Sequence, residues 1–79
     1  MIALPDGWEA EALDWHPGLT VLHAPNKAGM VTLDYTQRVF RGGLCTCGQP
    51  TSTEAYGGRG WAEKLERDAV AWLSAVLAA

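Results

Sequence analysis

The sequence predicts an α+β fold: a three-stranded antiparallel β-meander, extended to four strands if residues 8–15 pair with it, packed against one C-terminal α-helix. Three observations predict it. From Trp61 onward, Trp61, Leu65, Ala69, Trp72 and Val76 recur every three or four positions, the spacing of one helical stripe, which Leu73 and Leu77 widen. Between residues 19 and 41, short runs of Val, Leu, Thr, Tyr and Phe are separated by Pro, Gly and Asn, which punctuate strands. The chain has 79 residues, so one domain is expected, near the lower limit for a core without disulfide, metal or second subunit. A homodimer is one way to meet that limit.

The elements follow in order. Pro5-Asp6-Gly7 is a turn signal, and residues 8–15 then read either as a strand with Trp8 on its inner face or as a short helix using Trp8, Ala12 and Trp15. The strand is the preferred reading. His16-Pro17-Gly18 breaks the chain before a strand at Leu19-Thr20-Val21-Leu22-His23. After a connection at residues 24–29, Val31, Leu33 and Tyr35 alternate with Met30, Thr32 and Asp34, which predicts one buried and one wet face. Thr36-Gln37 is a tight turn, and Arg38 to Arg41 a third strand, so the sheet spans about residues 8–41. Residues 42–60 contain six glycines and Pro50 and read as a long loop, with Leu44 and Tyr56 expected to pin it to the core. The helix is expected at about 61–77, entered through Gly60, whose lack of a Cβ suits a cap. Its stripe, Trp61, Leu65, Ala69, Trp72 and Val76, is expected to meet Val21, Val31, Leu33 and Phe40. Glu63 with Arg67, and Lys64 with Asp68, form i,i+4 pairs on a solvated face.

Charge and composition narrow the function. Nine acidic and six basic residues give −3, which argues against a surface that grips nucleic acid on all sides. The distribution is uneven: up to Asp34 the net charge is −4 (Asp6, Glu9, Glu11, Asp14 and Asp34 against Lys27), and from Tyr35 to Trp61 it is +2 (Arg38, Arg41 and Arg59 against Glu54). The N-terminus has no basic segment followed by a long apolar run, and the charges Glu66, Arg67 and Asp68 interrupt the one long apolar pattern. A cytoplasmic protein with no membrane contact is therefore expected. Cys45 and Cys47, one residue apart, offer no disulfide framework.

Four groups of residues could carry chemistry. The glycine-rich entry to the helix, Tyr56-Gly57-Gly58-Arg59-Gly60-Trp61, could present backbone amides and the Arg59 guanidinium to an anion; the plain alternative is that the glycines only let the chain turn. It lacks the Lys-Ser or Lys-Thr of a P-loop and the βαβ context of a dinucleotide fingerprint. Cys45 and Cys47, with His16 and His23, could hold zinc, but the one-residue spacing is shorter than structural zinc sites use, and idle thiols are the preferred reading. Arg38, Arg41 and Arg59 are interleaved with Tyr35, Phe40, Tyr56 and Trp61 and could meet phosphate or guanine, although Arg38 and Arg41 do not share a face of a straight strand. The acidic residues Asp6, Glu9, Glu11, Asp14 and Asp34 could dock on a basic partner, against the plain reading of a solubilising edge strand. No nucleophile motif surrounds Ser52, Ser74 or the cysteines.

At Phe40-Arg41-Gly42-Gly43, and at Tyr56-Gly57-Gly58-Arg59-Gly60-Trp61 with Leu65, Asp68-Ala69-Val70 and Leu73, the sequence resembles short uncharacterised proteins of proteobacterial prophage regions. The resemblance covers roughly the last half of the chain. It implies a phage-type accessory protein, a group that includes inhibitors of host defence, and supplies no catalytic residues. Taken together, the expectation is a non-enzymatic interaction protein without cofactor, binding a protein partner through its sheet edge, its residue 42–60 loop or its acidic strip. Its binding candidates are Arg38, Arg41, Tyr56, Gly58 and Arg59. The alternative is a small nucleic-acid-binding module using Arg38, Arg41 and Arg59.

Overall fold

The computed structural model describes residues 1–44, 49–52 and 54–79. Four strands follow one another in space as they do in sequence: β1 (Glu9–Ala12), β2 (Leu19–His23), β3 (Met30–Asp34) and β4 (Val39–Gly42), every neighbouring pair antiparallel. One helix, α1 (Trp61–Ala78), completes the α+β fold. The stretch around residues 8–15 is therefore a fourth strand in its centre, and the meander is extended as the strand reading expects.

The alternation of each strand sends one set of side chains to the helix. Leu22 and Ala24 of the β2 end, Val31 and Leu33 of β3, and Phe40 of β4 meet Leu65, Ala69 and Leu73 of α1 in one buried cluster, with Trp8, Tyr35, Trp61 and Trp72 packed at its margin. Gly42 is required here. The Trp72 ring lies across it, and a Cβ at that position would fall 2.5 Å from the ring. On the helix stripe Leu73 takes the place expected of Val76, which is 49% exposed. Val21 points away from the helix with Thr32, so its expected contact with the stripe is not made.

The second face of the sheet corrects the expectation of a wet surface. Leu19, Val21, Thr32, Asp34, Val39 and Arg41 are all buried there. Gly43 explains part of the reversal: with φ at 72° it turns the chain back, donates its N–H to the Met30 carbonyl, and accepts the Thr32 hydroxyl on its own carbonyl at 2.6 Å. Asp34 and Arg41 bury their charges as a pair, Nη1 to Oδ2 at 3.0 Å. The other Asp34 oxygen accepts the N–H groups of Thr36 and Gln37, closing the β3–β4 turn. One carboxylate thus sets a turn and holds a buried cation.

The two edges of the sheet differ. Along the outer side of β4, Thr51 N–H donates to the Phe40 carbonyl, Gly42 N–H to the Thr51 hydroxyl and Tyr56 N–H to the Arg38 carbonyl. That edge is satisfied. Tyr56 is held as expected, packing on the core, but Leu44 is 57% exposed and pins nothing. All four residues of β1, at the opposite edge, are exposed.

Candidate functional site

The structure withdraws Arg41 from the basic set expected from the sequence and keeps Arg38 beside Tyr56, whose N–H donates to the Arg38 carbonyl at 2.8 Å. Arg41 is 4% exposed and committed to Asp34 and Gln37, so it belongs to the interior and is removed from any binding surface. Arg38 is exposed, in a left-handed turn position with φ at 59°, and its guanidinium lies 4.4 Å from the centre of the Trp61 ring. Arg59 and Gly58 are exposed in the turn before α1, and Gly60, with φ at 74°, is the cap residue. Tyr56 donates its hydroxyl to Asp68 at 2.6 Å. Burial, then this carboxylate neighbour, push the Tyr56 phenol up to about 12. Asp68 is thereby drawn away from Lys64, its expected partner, while Glu63 and Arg67 lie 3.8 Å apart in solvent.

Of the metal candidates, Cys45 and Cys47 lie outside the described residues. His16 is exposed beside the Pro17 carbonyl, and His23 donates from Nε2 to Glu11 Oε1 at 3.0 Å. Among the described residues no group of three or more His, Cys, Asp or Glu side chains is placed to hold a metal ion.

Glu66 is the charged residue whose place the sequence does not reveal. It is 4% exposed, accepting the Tyr35 hydroxyl at 2.5 Å and the Ile2 N–H at 3.1 Å. Burial and this carboxylate raise the Tyr35 phenol well above its ordinary value. The contact ties the N-terminal segment to the helix. The signal that could have found it is its position one residue after Leu65, on the shoulder of the apolar stripe.

The arrangement with unspent binding capacity is at β1. Leu13 N–H donates to Leu19 C=O, and Leu13 and Leu19 continue the β1–β2 register. With the alternation of an antiparallel pair, the odd residues Glu9 and Glu11 bond to β2 and the even residues Ala10 and Ala12 turn their N–H and C=O groups outward. Neither is bonded to another described residue. Beside this edge lies a hollow of about 550 Å³ between β1 and the β2–β3 connection, lined among others by Gly7, Glu9, Ala10, Glu11 and His23. Glu9 and Glu11 share a face with His23, and Lys27 also lines the hollow. No family model, curated protein or solved structure matches the chain.

Proposed function

We propose that this protein is a non-enzymatic interaction protein that binds a protein partner by strand addition along β1. The observation that carries the reading is the asymmetry of the sheet: the outer edge of β4 is bonded by Thr51, Ser52 and Tyr56, whereas Ala10 and Ala12 hold their backbone groups toward solvent in a strand exposed throughout. Unpaired edges template the pairing of another chain, and extended segments are captured in this way by backbone bonds. The fold spends its polar groups of special environment internally, Asp34 on Arg41 and Glu66 on Tyr35. A phage-type accessory protein or inhibitor acting on a host macromolecule in the cytoplasm is the biological setting we infer from the prophage resemblance. No helix of the described residues is long and apolar enough to cross a membrane.

The test is capture from a bacterial lysate, with and without nuclease, by the parent protein and by Ala10→Pro. Proline at Ala10 deletes an outward donor and leaves the β1–β2 bonds in place. The expected result is a protein, retained after nuclease, that the parent captures in stoichiometric amount and the variant does not. Nucleic acid alone, or equal capture by both, would overturn the reading.

A further inference from the structure

We infer that the segment added to β1 is a basic one, an extended stretch carrying Lys or Arg at alternate positions. This rests on the strand-addition reading and names its partner chemistry. Residues 5–17 contain Asp6, Glu9, Glu11 and Asp14 and no Lys or Arg. Glu9 and Glu11 lie two apart on one face of β1, both exposed. A strand hydrogen-bonded to Ala10 and Ala12 sets its own side chains beside those of β1, so the residues meeting Glu9 and Glu11 are again two apart. Opposite charges across such a pair stabilise it, and like charges directly opposite destabilise it.

The same register argument rejects a second copy of this chain. An antiparallel pairing of β1 with itself centred on Ala10 sets Glu9 against Glu11, and one centred on Glu11 sets Glu11 against its own counterpart; the register centred on Ala12 avoids both but pairs Ala10 with Asp14, beyond the end of the strand. A parallel pairing places the Glu residues side by side. Self-addition is thus opposed by charge while the backbone remains competent. Between the basic residues, the partner's alternate side chains fall beside Ala10 and Ala12, whose methyl groups leave room for larger neighbours. The hollow beside Glu9, Glu11 and His23 provides space for the long stem of a Lys or Arg, and among the described residues the two carboxylates outnumber the one cation, Lys27, that also lines it.

The experiment titrates the full chain with synthetic peptides of about seven residues, a common strand length. They alternate Thr with Lys, with Gln or with Glu, and backbone amide signals are followed by NMR. The expected result is movement of the signals of residues 9–13, with the Lys peptide bound about threefold to tenfold more tightly than the Gln peptide, as two favourable cross-strand pairs imply. The Glu peptide should bind most weakly, and the differences should shrink in high salt. In the Glu9→Lys/Glu11→Lys variant the order should reverse. Ala10→Pro, or Ala12→Pro if the first does not fold, should lose all three peptides.

Equal binding of the Lys and Gln peptides at residues 9–13 would overturn the basic-partner inference and leave strand addition standing. No movement of those signals at about 1 mM peptide, the range of weak encounters, or movement confined to another segment, would overturn both.

Discussion

Asp34 is the residue on which most local structure converges. It closes the β3–β4 turn through Thr36 and Gln37 and neutralises Arg41, whose Nε has no partner among the described residues. Removing one member of a buried pair leaves the other charge uncompensated. Asp34→Ala should therefore cost about 3–5 kcal/mol, much of the stability of a chain this size, measured as a loss in the urea midpoint. Adding Arg41→Leu to that variant should recover part of the loss; a further loss would show that the pair is not the source. The tyrosines make a second prediction. Tyr56 ionises near 10 when free of structure and at about 12 in the fold, and Tyr35 is raised in the same direction. Their neutral forms donate to Asp68 and Glu66, so the unfolded chain releases these protons more easily. Their stabilisation is whole below pH 10 and is lost as pH rises through the folded values. Urea midpoints should fall between about pH 10 and 12, and Tyr56→Phe should flatten that fall; an unchanged slope in both Tyr56→Phe and Tyr35→Phe would refute the assignment.

At the level of elements, helix α1 is held by a narrower stripe than its apolar composition implies. Leu65, Ala69 and Leu73 are buried, Trp72 covers Gly42, Leu77 lies part-exposed beside Gly29, and Val76 faces solvent. The reason is position: the helix packs chiefly over β3 and β4, and Val76 is turned away from them. Leu73→Ala should cost about 2–5 kcal/mol as a cavity-forming change. Val76→Ala should stay within about 0.5 kcal/mol of the parent in the same thermal or urea titration, as exposed substitutions do. Equal losses at the two positions would place Val76 in the core and contradict the stripe. The stripe itself was legible because a 3.6-residue period survives any tertiary context. Which of its ends is buried was not, since periodicity does not encode where the sheet stops.

For the whole molecule, function follows from which sheet edge is left open. Thr51, Ser52 and Tyr56 satisfy the outer edge of β4, so among the described residues β1 is the strand that retains outward backbone groups beside a hollow. The sequence-based candidates centred on arginines and glycines near the helix entry, because arginine spacing is visible in a sequence and backbone bonding is not. Arg41 illustrates the limit. Its composition signal suited phosphate binding, yet its register opposite Thr32 turns it to the buried second face, where Asp34 waits two residues along β3. The acidic residues Glu9 and Glu11 were visible as a strip, and their value changes once Ala10 and Ala12 are known to face outward between them.

By itself the sequence determined the α+β class, β2, β3 and β4 in order, the helix from Trp61, and the inward face of β3, because alternation, helical period and turn residues are local physics; it left residues 8–15 between strand and helix, with strand preferred. It also determined the acidic character of β1. The tertiary structure alone decided that β3 and β4 are buried on both faces, that Glu66 and Arg41 are interior charges, and that β1 is the free edge. Those depend on the return of the chain over β4 and on partners far apart in sequence, Ile2 and Tyr35 on Glu66 among them, which no local pattern specifies.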